Sequence, residues 1–412
     1  MWEGDARAML DGMQEPHAVR SRRPVGRTVM AVLPPSARGP LPKIAPLLVG
    51  ALEDSGWKVE QTCWGGRSGS ESPARKLFGR TVDLVVALSR LAVHPGAILF
   101  VNSSHSWRSI LRDIPLLAGA RCLRHGSVVL LHGSEPEVVS SAPRSAFARA
   151  SRTLVRCADG VLVLSTEELE CWRDCAPLGR YFLVSNPFEA TIRRVPLTAH
   201  EPPTVLYVGR ILKEKGVLDL VEAIRRVRQT AVCGLSFVGD GPDVRQLDAL
   251  LREHGLVDHA RMYGYVEGSD LARHYRSAEI FVLPTYWSEG FPTVLAEAMD
   301  AGLAIVTTRL RGMADHLSDG VNCLFVRPCD PEGLAEAVTR LIGDPDLRRS
   351  MGEANRQKVA SFAPGVVVTD YLEALDQVAR SRLAMQHARR ARSASRCRSR
   401  RGMDRAHGDG TR

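Results

Sequence analysis

The sequence predicts an α/β protein made of two doubly wound parallel-sheet domains. Short apolar runs alternate with longer amphipathic stretches, which is the pattern of right-handed βαβ units. The alternation stops at a stretch rich in Pro, Thr and charge, between Ala190 and Pro203, and then restarts. A chain of 412 residues is also too long for one hydrophobic core.

Taken in order, residues 1–24 are polar without period and read as a loose leader. A first domain is expected over 25–188. Its opening strand is Arg27 to Leu33, followed by the loop Pro34–Pro40 and an apolar-periodic helix from about Leu41 to Ser55. Trp57 to Glu60 begins the next strand. Further buried strands are expected at Val82 to Leu88, Ala97 to Val101, Val128 to Leu131, Gly160 to Leu164 and Tyr181 to Val184. Residues 189–203 read as a linker. A second domain over 204–363 has strands at Val205–Val208, Leu235–Val238, Arg261–Tyr263, Ile280–Leu283, Ala304–Thr307 and Cys323–Val326. A helix over 364–380 closes the fold. Residues 381–412 lack apolar period and read as a disordered Arg-rich tail.

The net charge of +9 belongs to that tail: from Arg380 to Arg412 there are 11 Arg and 2 Asp, and no Lys or Glu. The rest of the chain is neutral, so the folded body carries no general call for an acidic partner. The nine cysteines are scattered, with no C-x-x-C and no zinc-ligand spacing. Small half-buried thiols in a reducing compartment are the expectation. No run is long and apolar enough to span a bilayer, and no signal-peptide core is evident. The expected location is the cytoplasm, free or at the inner membrane surface.

Chemistry-bearing residues follow the strands, where open α/β sheets bind ligands. Gly209-Arg210-Ile-Leu-Lys-Glu-Lys215-Gly216 follows the first strand of the second domain. Arg and Lys there suit a diphosphate. Glu289-Gly290-Phe291-Pro292-Thr293-Val294-Leu-Ala-Glu297 places one carboxylate in a loop and another in a helix. Carboxylates accept hydrogen bonds from ribose and sugar hydroxyls, and amides at a helix start attract anions. Pro292 has no N–H, so Phe291, Thr293 and Val294 are the expected amide donors. Gly239 and Gly241, in Val238-Gly-Asp-Gly-Pro242, permit close backbone approach or only a turn. His132 ends an apolar strand in the first domain, and His105 follows Asn102-Ser-Ser. The one D-x-D, Asp344-Pro-Asp346, opens a helix, where acidic caps belong.

Four pieces occur in order: Val208-Gly-Arg-Ile-Leu-Lys-Glu-Lys-Gly216, Val238-Gly-Asp-Gly-Pro242, Pro284 through Glu297-Ala-Met, and Gly320-Val-Asn-Cys-Leu-Phe-Val326. Together they resemble the retaining glycosyltransferases of family 4. The resemblance runs from about Val25 to Ala379. It implies the GT-B fold, with two Rossmann-like domains facing across a cleft and a C-terminal helix crossing back to the first domain. It assigns catalysis to His132, Glu289, Arg210 and Lys215. Donor binding falls to Gly209, Arg210, Lys215, Gly239, Gly241, Tyr265, Val266, Glu289, Gly290, Phe291, Thr293, Val294 and Glu297. Acceptor-side contacts fall to Arg38, Gly39 and His105. Two departures stand out. Ala304 occupies a position where proline is common, and Ala314-Asp315 replaces a Pro-Glu pair.

The implied activity is retaining transfer of a hexose, without a metal or other cofactor. The donor is a nucleoside-diphosphate sugar, and the acceptor is a hydroxyl of a glycan or lipid-linked glycan, in polysaccharide or glycoconjugate biosynthesis. One alternative is a same-fold nucleotide-sugar enzyme of other chemistry, epimerase-like. Another is nucleic-acid binding through the Arg tail, although that tail lacks aromatics. Peripheral membrane contact is a further partner reading. His105 to His125 mixes Arg108, Arg112, Arg121 and Arg124 with Trp107, Ile110, Leu111, Ile114, Leu116 and Leu117. Pro115 and Gly119 are expected to interrupt a helix there.

Overall fold

The computed structural model describes residues 27–33, 41–64, 73–192 and 202–407. The first sheet contains β1 (Thr28–Leu33), β2 (Lys58–Cys63), β3 (Ile98–Ser104), β4 (Gly126–His132), β5 (Gly160–Val163) and β6 (Tyr181–Leu183). All pairings are parallel, in the order β2-β1-β3-β4-β5-β6. Both faces are covered, so β4 and β5 are apolar and buried along nearly their whole length.

One expected strand is a helix instead. Val82 to Leu88 lies inside the helix Pro73–Ala92. Ala87 and Leu91 are fully buried, whereas Val82, Val85 and Val86 face outward. The burial spacing of four is helical, and a short apolar run does not by itself separate helix from buried strand.

The second sheet contains β7 (Thr204–Val208), β8 (Gly234–Val238), β9 (Ala260–Met262), β10 (Ile280–Leu283), β11 (Ala304–Thr308) and β12 (Cys323–Val326). Its order is β12-β11-β10-β7-β8-β9, again parallel. The strand order reverses between β7 and β10. That is the topological switch point, where the loops leaving neighbouring strands diverge and open a crevice. Each sheet carries its own apolar core.

The helix Pro364–His407 returns to the first domain. Tyr371, Ala374, Leu375 and Val378 are buried there among Phe100, Val128 and Leu130. Arg27 pairs with Asp376, and Arg382 grips Asp159 through Nε at 2.8 Å and Nη2 at 2.7 Å. The same helix continues without a break to His407, through the segment expected to be disordered after 380. Its composition explains this: Arg, Ala and Met have high helix propensity, and neither Pro nor Gly occurs between Val366 and Arg401.

The helix Trp107–Cys122 likewise runs through both Pro115 and Gly119. A Cβ on Gly119 would lie 2.6 Å from Leu88, so glycine lets two helices approach closely. Ile110, Leu116 and Leu117 are fully buried and only Trp107 and Leu111 stand out, so most of the apolar face expected for lipid belongs to the core. Among the described residues, no helix is long and apolar enough to cross a membrane.

Candidate active site in the interdomain cleft

The crevice at the switch point is lined by the loops that follow β7 and β10. Residues Lys213–Lys215 form a single 3-10 turn closed by Gly216, whose φ is +71°. A Cβ at Gly216 would collide with the carbonyl of Pro284, at the end of β10. The amide of Tyr286 donates to Glu214 O at 2.9 Å. The two loops are thus tied together, and Lys215 forms an ion pair with Glu289 across them. Both side chains are mostly buried, at 16% and 22% exposure. Burial, with Arg210 nearby, holds the Lys215 ammonium down at about 8. A lysine in that state gains from a new anionic neighbour. Arg210 is exposed at the mouth of the same loop, and its carbonyl accepts from the Tyr207 hydroxyl at 2.8 Å.

The helix Thr293–Ala301 begins immediately after this loop. Its first-turn amides, including those of Thr293 and Val294, have no partner within the helix. Phe291 is 7% exposed and stacks on Phe362 with ring centroids 4.7 Å apart. Its ring is core, which leaves its amide as the group available to a ligand. Gly290 is buried against Leu164 of the other domain. Glu297, 6% exposed, accepts from the Tyr275 hydroxyl at 2.8 Å and from Lys43 Nζ at 2.7 Å. Lys43 comes from the first domain, so this carboxylate, expected to bind the donor, is bridged across the cleft.

Gly239 and Gly241 line the next loop. The amide of Gly209 donates to Val238 O at 3.0 Å, and that of Ile211 to Asp240 O at 3.0 Å. A Cβ at Gly239 or Gly241 would collide with the carbonyl of Gly209 or Ile211. These glycines therefore let the Gly209–Arg210 loop lie flat against its neighbour. Tyr265 and Val266 follow β9; the Tyr265 ring is 55% exposed, with its hydroxyl on Glu267.

On the opposite wall, His132 ends β4 and is partly buried. Its Nε2 donates to Asn102 Oδ1 at 3.0 Å. Burial pushes its pKa down to about 4, so the imidazole is neutral near pH 7 with Nδ1 left as an acceptor. His105 is different. Its Nδ1 accepts from the Glu135 amide at 3.0 Å, so Nε2 carries the proton and donates to Ser151 Oγ at 2.9 Å. It packs between Phe147 and Trp172 at 9% exposure. Both nitrogens are used inside the domain, so the structure places His105 in the core rather than on the acceptor side. Arg38 and Gly39 lie outside the described residues.

Three residues in this region were not singled out from sequence. Lys43 and Tyr275 converge on Glu297. Arg311, at the start of the helix Arg311–His316, has φ +46° and a side chain only 5% exposed. Neither a cross-domain pair nor a left-handed arginine leaves a local sequence signal. Near Arg311 a cavity of about 300 Å³ opens in the cleft, lined by Glu135, Glu137, Glu167, Tyr286 and Trp287. Among the described residues no group of three or more His, Cys, Asp or Glu could hold a metal ion. Asp344 accepts from the Leu347 amide at 2.9 Å, as a helix N-cap.

Residues 188–358 match the family model described as Glycosyl transferases group 1. Glycogen synthase of Mycobacterium tuberculosis (strain ATCC 25618 / H37Rv) is 31% identical over 189 residues, 45% of this chain and 45% of that one. The alpha-D-kanosaminyltransferase of Streptomyces kanamyceticus is 31% identical over 248 residues, 55% of this chain and 64% of that one. The chain thus spans about half to two thirds of the length of these curated relatives. The crystal structure of Anabaena Alr3699/HepE in complex with UDP-glucose superposes with a TM-score of 0.67 at 15% identity, covering 85% of this chain and 99% of that one. At that identity the likeness is one of fold, the two-domain GT-B arrangement.

Proposed function

We propose that the chain is a glycosyltransferase that moves a hexose from a nucleoside-diphosphate sugar to a hydroxyl of a glycan or lipid-linked acceptor, with retention at the anomeric carbon. The observation that carries this reading is the Lys215–Glu289 pair at the β7/β10 switch point, beside Arg210 and a helix N-terminus. The match to the group 1 glycosyl transferase model over 188–358 covers these same residues. The solved Anabaena structure of like fold is a complex with UDP-glucose, which favours a nucleotide sugar as ligand.

The chemistry follows from the charges. A diphosphate entering the crevice meets Arg210, Lys215 and the amides of Phe291, Thr293 and Val294. It displaces Glu289 from Lys215 and frees that carboxylate to face sugar hydroxyls. Glu297 turns from Lys43 to the ribose. As the glycosidic bond to the diphosphate breaks, negative charge grows on the leaving oxygen, and these fixed cations and amides stabilise it. The acceptor hydroxyl attacks the same face and passes its proton to the departing phosphate. Neutral His132 stands on the acceptor wall as a hydrogen-bonding group rather than a charged acid. Neutralisation by protein groups places no demand on a metal, so transfer is expected to persist in EDTA.

The test is thermal shift and sugar release with UDP-, GDP- and ADP-sugars, on wild type and Lys215→Ala. One donor class should stabilise and be consumed by wild type but not the variant. No shift with any nucleotide sugar would overturn the reading.

A further inference from the structure

We propose that Arg311 is a positioning residue, a buried lock that fastens the acceptor-side loop after β4 to the donor-side loop after β10 and so sets the reaction gap. Its kinetic consequence rests on the transferase reading above; its mechanical consequence does not.

Arg311 belongs to the second domain, yet its guanidinium is spent on the first. Nη1 donates to the carbonyl of Ser134. Nη2 donates to both oxygens of Glu137, each at 2.9 Å. Nη1 also lies 3.5 Å from Oε1 of Glu168, which is fully buried. That carboxylate holds Ser134 through its amide at 2.9 Å and its hydroxyl, and Trp172 Nε1 donates to the same hydroxyl at 2.9 Å. Ser134 is therefore a rigid anchor, two residues from His132.

The other end of the lock is equally tight. A Cβ on Gly312 would lie 2.7 Å from the carbonyl carbon of Gly290 and 2.8 Å from the amide of Phe291. The Arg311–Gly312 backbone thus sits directly beneath the loop that carries Glu289. A Cβ on Gly133 would lie 2.7 Å from Ser288 O, so the two loops already touch. One residue holds both sides of the place where acceptor and donor must meet. The other polar links between the domains in this region, Thr166 to Asp315 at 2.8 Å and Ser185 to His316 at 3.4 Å, are less buried. A left-handed φ at a non-glycine residue persists only where surrounding contacts over-determine it, and the four acceptor contacts across the cleft supply that. Because the Arg311 guanidinium bonds to Ser134, Glu137 and Glu168 and to none of the residues assigned to the donor, its loss should act on transfer and not on nucleotide affinity.

The test uses the full chain with Arg311→Lys, which keeps the charge but loses the fork, and Arg311→Gly, which removes the fork and relieves the backbone. Glu137→Gln weakens the same lock from the other domain. Solution scattering should show a larger radius of gyration for all three than for wild type. Affinity for UDP, GDP or ADP should stay within about threefold, since misplacement rather than lost binding is at stake. The kcat of transfer by the two Arg311 variants should fall about 100-fold, the scale of an ångström-sized misalignment. Added guanidinium should restore part of the compactness and rate of Arg311→Gly. Wild-type scattering in both Arg311 variants overturns the lock. So does full activity in Arg311→Gly, or a loss of nucleotide affinity that parallels the loss of kcat. If no nucleotide sugar is turned over by wild type, the transferase reading fails while the scattering still decides the lock.

Discussion

On the donor side of the cleft, the loops after β7 and β10 converge at a switch point, and Lys215, Glu289 and a helix N-terminus meet there. On the acceptor side, His132 and His105 belong to the ends of adjacent strands but do different things. His132 keeps one nitrogen unengaged by any bond given above, and His105 spends both on Glu135 and Ser151. The donor wall is assembled from contiguous motifs whose spacing shows in the chain. The acceptor wall depends on which way single side chains turn, and on partners some 30 to 180 residues away. On the proposed reading, the donor wall follows from the fold's switch point, while the acceptor wall rests on side-chain contacts particular to this chain.

The largest expected effect breaks the donor side. Lys215→Ala should lower kcat about 10²- to 10³-fold, the usual cost of removing one group aimed at developing charge. Steady-state transfer with the donor found by the binding screen measures it. A loss under tenfold would move the burden of charge neutralisation to Arg210 and the helix amides.

The same lysine sets a pH signature that the acceptor wall lacks. Its folded pKa of about 8 is below the usual 10.5. The free enzyme therefore loses this proton as pH rises through about 8, and kcat/KM for the donor should decline above it. The stability linkage has the opposite sign. Between about 8 and 10.5 the unfolded chain binds the proton that the folded chain has released, so this group favours folding increasingly as pH rises across that window. His132 and His105, both pushed to about 4, should leave the profile flat between pH 6 and 7.5. A kinetic step near 6.5 would contradict the neutral imidazole assigned to His132.

Much of this contrast was visible in the sequence. Arg210, Lys215, Glu289 and Glu297 could be placed because each follows a strand within a compact motif, and the structure gathers Lys215, Glu289 and the helix start in one crevice. All twelve strands were read close to their positions, and a thirteenth was expected where the chain forms a helix. The error at Val82–Leu88 arose because a locally continuous apolar run hides its helical burial until Ala87 and Leu91 find a sheet. His105 misled because an apolar strand end looks alike whether the imidazole turns toward the cleft or toward Trp172. Arg311 was invisible because its partners Ser134, Glu137 and Glu168 lie in the other domain.

The two histidines allow a sharper version of the comparison, at intermediate size. His132→Ala should reduce kcat roughly 10- to 100-fold if it holds a reacting or charged group, since such hydrogen bonds contribute about 1.5–3 kcal/mol. Its effect on thermal stability should be small. His105→Ala should do the reverse, costing about 1–3 kcal/mol of stability through the orphaned Glu135 amide and lost packing, with kcat nearly unchanged. Denaturant melts and initial rates on both proteins decide this, and an exchange of the two outcomes would return His105 to the acceptor side.

The smallest effect separates a fold residue from a site residue. Asp344-Pro-Asp346 resembles a metal-binding D-x-D, but Asp344 caps the helix Pro345–Lys358 by accepting from the Leu347 amide. Asp344→Ala should therefore cost about 1 kcal/mol of stability, the ordinary value of an N-cap. Transfer should be unchanged, as should its insensitivity to EDTA. Asp344→Ser, which can still accept from the amide, should recover most of the stability. A loss of transfer without a loss of stability would mean that the aspartate serves the reaction, and that the donor side extends beyond the β7/β10 crevice.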